Sequence, residues 1–530
     1  MTAHPPKSFA HLDLPQIVPV RPLAPAAVSR RARLAVAVLT LTLSAPLIVA
    51  FAAGAGGGGA GALAIPLFAL NTLWVAFGGA AALLGAAVLL RPNSAPRAAP
   101  LGTPTAVLYL LCNEPPEPVA AAAARLARDL ERGRLDRSTD IFVLSDSAPQ
   151  AEAAERAAFG ALIAEGRVRY RRRARNTGRK PGNIADWARR EGHRYAQMAV
   201  LDADSRMSAA RLGAMIARME RAPRTGLIQS GMRLLPARSR LGRALRLSSR
   251  LGGPVATEGL AAWAGPAGNY WGHNALIRMR AYRAARRLPR LPGRAPLGGP
   301  VLSHDFVEAA LIRRAGWDVE VSPESRGSFE DAPQTLRAFH KRDRRWCQGN
   351  LQHARLLGLN GFDPASRVHL ATGVMSYLAA PVWLALVVLF ATGLVPAPGL
   401  VLLAGVVALL LVQKMAALAV HPGVRRGGQA RRIALRAGLA EAALSTLLAP
   451  LLLVRQTGAV ISVLAGRDCG WKGPEAAAWR PPAGVAETGA GLALLALALG
   501  GGGAALPWLA PLVLPLLAAP ALSRWLEAAA

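Results

Sequence analysis

Two carboxylates one residue apart, Asp202 and Asp204, follow the apolar run Met198 to Leu201. If that run is a strand, its period of two sends both to one face, where a divalent cation and a diphosphate could be held together. Read as chemistry, they hold magnesium or manganese against a nucleotide diphosphate and neutralise the leaving group; read blandly, a strand ends in an acidic turn. Asp146, in Ser145-Asp146-Ser147, is either the N-cap of the next helix, with Pro149 in support, or an acceptor for a nucleobase or ribose. Asn176 to Asn183 is Gly-rich and basic before a helix, as phosphate loops are, or else a solvated turn; it lacks the Walker pattern.

Asp305, in Ser303-His304-Asp305-Phe306-Val307-Glu308, forms a capping box with Glu308 or serves as a general base that removes a proton from an acceptor hydroxyl. The run Arg342 to Trp346 is a basic membrane-facing patch, or a site wall with Arg345 facing phosphate and Trp346 stacking on a sugar. Gly272, His273 and Asn274 belong to a Gly/aromatic turn better suited to a sugar than to a metal. Arg171, Arg172, Arg173 and Arg175 lack interleaved aromatics and a nucleic-acid module, so they read as a solvated or lipid-facing run.

These residues need elements to carry them. From Thr105, short β-rich runs (106–111, 141–145, 168–172, 198–201 and 226–229) alternate with helical stretches (118–132, 151–164, 183–190 and 209–221). Such alternation predicts an α/β domain with a largely parallel sheet, whose ligands gather at the carboxyl ends of strands. Asn113, Asp146 and Asp204 fall at such ends.

The chain around that domain is too apolar for an ordinary soluble protein, with 52 % hydrophobic residues and a mean hydropathy of +0.27 over 530 residues. We expect a Pro-rich cytoplasmic tail over 1–33, a transmembrane hairpin over 34–90 and a catalytic domain over 100–334. An amphipathic interfacial helix should occupy 335–360 and a C-terminal membrane region 367–526, with cytoplasmic loops near 421–432 and 466–485. Ile433 to Ala465, interrupted by Pro450 and Arg455, reads as two short spans or a kinked span plus an interfacial helix, for six to eight spans in all.

The net charge of +32 is Arg-rich and spread over the middle region and the membrane-flanking loops, which points to an anionic lipid surface. Cys112, Cys347 and Cys469 lie far apart without zinc or disulfide spacing, as in a reducing compartment. The first apolar run lacks a plausible cleavage site and reads as a retained anchor.

Taken jointly and in order, Asn113-Glu114, Ser145-Asp146, Arg179 to Asn183, Asp202-Ala203-Asp204, Tyr270 to Asn274, Ser303-His304-Asp305 and Arg345-Trp346 resemble the family-two membrane glycosyltransferases, which include cellulose and hyaluronan synthases. The longer phrases VLDADS, YWGHNALIR and KRDRRWCQGNL look like the glucosyltransferases of osmoregulated periplasmic glucan synthesis, a likeness covering about residues 105 to 360.

The resemblance implies an α/β GT-A, Rossmann-like domain in the cytoplasm, inserted in an α-helical multi-span membrane domain of a bacterial inner membrane. It implies UDP-glucose bound among Asn113, Glu114, Asp146, Lys180, Gly182, Asn183, Asp202, Gly272, His273 and Asn274. Asp204 with Asp202 would meet Mg2+ or Mn2+, Asp305 would be the base, and Arg345 and Trp346 stand where the family's QxxRW motif lies. The product would be a growing β-glucan chain, mainly 1,2-linked, made by inverting transfer and passed through the bilayer toward the periplasm. An acyl carrier protein or a periplasmic glucan-processing protein is the implied protein partner, and no nucleic acid is.

Arg342 stands at the Gln position of QxxRW, Pro181 replaces the small residue usual in the Gly-rich loop, and the terminal extensions are short. Two other readings stand beside this one: non-processive sugar transfer to a lipid carrier, and a transporter whose cytoplasmic domain senses a nucleotide without turnover.

Overall fold

The computed structural model describes residues 27–91, 102–285, 287–469 and 484–529. The expected tail up to residue 26, Arg97, and the stretch holding Lys472 and Arg480 lie outside the described residues. Among the described residues, twelve strands follow in chain order: β1 Thr105–Leu111, β2 Thr139–Ser145, β3 Val168–Arg172, β4 Gln197–Asp202, β5 Ser205–Met207, β6 Thr225–Ser230, β7 Arg233–Leu234, β8 Ala275–Arg278, β9 Arg290–Leu291, β10 Gly299–Pro300, β11 Asp318–Ser322 and β12 Ser328–Glu330.

Seven of them form one sheet in the order β11-β6-β8-β4-β1-β2-β3. Neighbours run parallel except β8, which is antiparallel to both β4 and β6. The alternating pleat divides β1 cleanly: Val107, Tyr109 and Leu111 enter one core, while Leu108 and Leu110 enter the other. The first core packs beneath the helices Pro116–Arg132 and Ala209–Arg221, and the second against Trp187, Val307 and Leu311. Burial of each such large side chain contributes about 1.5–3 kcal/mol, which is why β1 lies wholly inside. This is the α/β GT-A class of mixed sheet, flanked by apolar helices.

Sequence periodicity missed β8, β11 and the short strands. Residues 275–278 are only a brief apolar run after a turn, and their pairing is decided by β4 and β6. The helix expected at 183 starts earlier, at Arg179, after Gly178 in the left-handed region (φ 73°). Half of the expected phosphate loop is therefore a helical first turn. Pro181 falls in that turn, where its missing N–H leaves no helical bond unmade.

Among the described residues, five helices are long and apolar enough to cross a membrane: Ser29–Gly54, Gly59–Leu89, Pro364–Ala391, Leu400–Val420 and Gly428–Leu464. A bent pair, Leu506–Leu517 with Ala519–Glu527, could make a sixth, and Val485–Gly500 is a shorter apolar helix. The expected break within 433–465 is absent: Pro450 is accommodated inside one helix of 37 residues. At 1.5 Å per residue that helix is about 55 Å long, so it tilts or projects beyond a hydrocarbon core about 30 Å thick.

A 25-residue helix, Arg240–Ala264, carried no expectation and has a large structural role. It leaves the sheet domain and lies against Gly59–Leu89 with the backbones in contact. A Cβ on Gly85 would stand 2.0 Å from the Val255 carbonyl oxygen, and one on Gly259 would stand 2.0 Å from that of Ala81. Arg33 of the first membrane helix donates Nε and Nη2 to the Trp263 and Ala264 carbonyls at 3.1 and 3.0 Å, satisfying the helix's last acceptors. Membrane segment and sheet are joined here.

Candidate active site

The carboxyl ends of β1, β2 and β4 open on a cleft of about 310 Å³, closed on the far side by the helices His304–Arg314 and Leu336–His353. Asp202 ends β4, and the Lys180 ammonium on the first turn of Arg179–Arg190 is ion-paired with its Oδ1. Asp204 sits one step beyond. Its carboxyl is pushed up to about 6, chiefly by burial and then by the Asp202 charge, with Glu330 adding and His273 and Lys180 opposing.

His273 stands behind the acidic pair, Nδ1 at 3.0 Å from Ser205 Oγ and Nε2 at 3.5 Å from Glu330 Oε2. Glu330 itself pairs across the small sheet with Ser205. Sequence reading passed over Glu330; its signal was an acidic residue closing a three-residue strand, too short to stand out.

Asp146 does not cap a helix. The 3-10 turn Pro149–Ala151 begins after Ala148 with no side-chain cap, and the Asp146 carboxylate receives both Nε and Nη2 of Arg173 at 2.7 Å. Arg173 also donates to the Thr177 and Arg179 carbonyls at 3.0 and 3.3 Å, so one guanidinium ties the end of β2 to the turn preceding Lys180. Within the run expected to be solvated or lipid-facing, Arg171 likewise pairs with Asp186 and donates to Asn183 Oδ1 at 2.6 Å. Burial orders these arginines inward, which composition does not reveal.

Glu114, Asp146, Lys180, Asn183, Asp202, Asp204, Gly272, His273, Asp305, Arg345 and Trp346 line the cleft. Asn113, Gly182 and Asn274 do not. Asn113 accepts from the Ala148 N–H at 2.9 Å; Gly182 has no room for a Cβ, which would stand 2.0 Å from the Thr177 carbonyl oxygen; Asn274 donates to Ser328 Oγ at 2.8 Å. They shape the walls. Asn183, though at the cleft, is buried and donates Nδ2 to the Leu144 carbonyl at 3.2 Å.

Asp305 is the second residue of its helix; Ser303 is the N-cap residue, without a side-chain cap bond, and no capping box forms. Glu308 instead faces His304 Nδ1 at 3.4 Å. Burial raises the Asp305 carboxyl above its ordinary range, against the pull of His304 and Lys180. For His304 burial acts downward, but Glu308 and Asp305 outweigh it and the imidazole is raised. Gly272 (φ +88°) lies between a carboxylate and a cation: its Cβ position is 3.4 Å from Asp305 Oδ2 and 3.7 Å from Lys180 Nζ.

On the helix Leu336–His353, the Arg342 guanidinium lies 4.5 Å from the Trp346 ring centroid, leaving the indole 48 % exposed toward the cleft and solvent. Asp343, next to Arg342 in the same turn, is buried and accepts from Tyr377 Oη at 2.9 Å and Gln456 Nε2 at 3.4 Å. Two membrane helices thereby hold the turn that presents Arg342, Arg345 and Trp346.

Among the described residues no group of three or more His, Cys, Asp or Glu donors has metal-binding spacing. The raised Asp204 carboxyl beside Asp202 nevertheless marks a pair whose charge the protein does not fully balance. That suits a hard cation bound through one or two carboxylates, with phosphate oxygens and water supplying the rest.

A family model described as glycosyl transferase family group 2 matches residues 198–418. Glucans biosynthesis glucosyltransferase H of Vibrio cholerae is 40 % identical over 439 residues, covering 76 % of this chain and 61 % of the relative. The protein of the same name from Shewanella putrefaciens is 39 % identical over 446 residues, covering 77 % and 61 %. The chain thus spans about 61 % of the length of these curated relatives. Among solved structures, a mannosyltransferase from Pyrobaculum calidifontis in complex with GDP-Man and Mn2+ superposes with a TM-score of 0.45 at 16 % identity, covering 72 % of this chain and 97 % of that one. That likeness is too loose to equate side chains.

Proposed function

We propose, from the family model over residues 198–418 and the likeness over three quarters of the chain to glucans biosynthesis glucosyltransferase H, that this is a family group 2 glycosyl transferase that transfers glucose from UDP-glucose to a growing β-glucan, mainly 1,2-linked. The transfer is processive and inverting, and the polymer is exported across an inner membrane with the catalytic domain on the cytoplasmic side. One observation carries the reading: a raised carboxyl, Asp305, and a cation held by an acidic strand end, Lys180 on Asp202, meet across Gly272 in one cleft.

In this mechanism the acceptor hydroxyl attacks the anomeric carbon of the donor sugar from the face opposite the diphosphate. The C–O bond to the acceptor forms as the C–O bond to phosphate breaks, and Asp305 takes the hydroxyl proton. A buried carboxylate is a stronger base than a solvated one, so the raised value favours that role. Lys180 and Arg345 face the departing diphosphate with positive charge. Asp204, with Asp202, would hold a magnesium or manganese ion, which when bound supplies further charge neutralisation at the diphosphate. Trp346 offers an exposed ring for an acceptor sugar, and Arg342 closes part of its surface.

The test is purified protein in lipid with magnesium and labelled UDP-sugars. UDP release with formation of a 1,2-linked glucan is expected from UDP-glucose. Asp305→Asn should abolish synthesis while UDP binding is retained; full polymerisation by that variant would refute the base. UDP binding without turnover of any nucleotide sugar would favour the sensing transporter instead.

A further inference from the structure

A second cavity, of about 130 Å³, lies outside the catalytic cleft, where Arg240–Ala264 crosses Leu400–Val420 and Gly428–Leu464. Lys414 and Glu441 face each other in its wall, with Lys414 Nζ at 2.6 Å from Glu441 Oε2 and 2.9 Å from Ser445 Oγ. Glu441 is buried on a helix that could span a membrane, and an ion pair there carries a desolvation cost that apolar residues would avoid. The pair presents one charge of each sign to the cavity.

The surroundings indicate its chemistry. Ser248 and Gln413 bring further polar groups to the same cavity, while Leu410 and Leu418 line its apolar part. Leu410 is half exposed, and Val407, Leu411 and Met415 continue an exposed apolar face on the same helix. A polar recess with balanced charge therefore opens beside a surface suited to acyl chains. An occupant complementary to both has a phosphate for Lys414, an ammonium for Glu441 and hydrocarbon tails.

We propose that this cavity binds the headgroup of a zwitterionic phospholipid of the phosphoethanolamine class, its phosphate on Lys414, its amine on Glu441, and its chains along the Val407–Leu410 face. The bound lipid fills the junction where the helix from the catalytic domain meets the membrane helices. This site stands apart from the glycosyl-transfer reading and does not depend on it.

Gly252 provides a test that leaves the ion pair untouched. Its Cβ position meets only Gln413 Nε2, at 3.8 Å, so Gly252→Leu directs a side chain into the cavity from a helix that tolerates leucine well. The full chain, purified in detergent, is titrated with phosphatidylethanolamine, phosphatidylglycerol or inorganic phosphate, and bound lipid is counted by native mass spectrometry. We expect one phosphatidylethanolamine retained by the parent protein, at least about tenfold weaker retention in Gly252→Leu at equal thermal stability, and weaker retention of phosphatidylglycerol. The same loss in the charge-swapped double variant Lys414→Glu with Glu441→Lys would support the orientation. Equal retention by parent and Gly252→Leu, equal retention of the two lipids, or displacement of phosphatidylethanolamine by millimolar inorganic phosphate would each overturn the proposal.

Discussion

Arg173 and Asp146 form a buried bidentate pair whose two partners should not be equally costly to remove. The side chains are 10 % and 4 % exposed. In Asp146→Ala the guanidinium keeps its bonds to the Thr177 and Arg179 carbonyls. Two charge-assisted bonds are lost, but the cation keeps its two carbonyl acceptors, so the loss should stay below about 3 kcal/mol, the low end for two such bonds. In Arg173→Ala the carboxylate loses both side-chain donors and remains buried, a change that costs about 3–5 kcal/mol, and the turn before Lys180 loses its tie as well.

For a domain of this size that corresponds to a fall of about 6–20 °C in Tm for Arg173→Ala. Removing both partners deletes the stranded charge, so the double variant should be more stable than Arg173→Ala alone. Thermal unfolding in lipid at one scan rate, with UDP binding measured alongside, checks the order. Equal losses in both single variants, or a double variant less stable than either, would refute the assignment of Asp146 as an anchor held by Arg173.

Further outcomes follow from the same geometry. Gly272→Ala must hold a left-handed φ at about 1–2 kcal/mol and places a methyl between Asp305 and Lys180, so turnover should fall about tenfold or more with only modest loss of Tm. Gly259→Leu drives a side chain into the Ala81 carbonyl and should part the catalytic domain from Gly59–Leu89, seen as protease sensitivity at Arg240–Ala264. Because burial raises Asp305 in the folded state, its stabilising contribution is present at low pH and is lost as pH rises through the folded value. Asp305→Asn should therefore unfold at a higher temperature than the parent at neutral pH, and the difference should vanish below the ordinary carboxylate range. Trp346→Ala, removing a half-exposed ring, should change stability little while weakening acceptor use, measured as shorter glucan at equal UDP-glucose consumption.

Local pattern alone determined much of this protein. Long apolar runs mark membrane helices, and β-rich runs alternating with amphipathic helices specify a covered parallel sheet with Asp146 and Asp202 at its strand ends. Both signals arise from hydrogen bonding and side-chain period within a few residues. What local pattern left open was decided by pairings between distant segments. Asp305 could form a capping box with Glu308 or serve as a general base; no capping box forms, and packing sets its helix beside Lys180. Asp146 could cap or bind a ligand until Arg173 took its carboxylate.

The helix Arg240–Ala264 carried no expectation; the glycine contacts at Gly85 and Gly259, with the Arg33 bonds to its last carbonyls, make it the joint between sheet and membrane. Pro450 reads as a breaker, yet tertiary packing carries one helix through it. Charge and conformational propensity are properties of single residues, whereas burial, which fixes the partner each polar group must find, belongs to the folded chain.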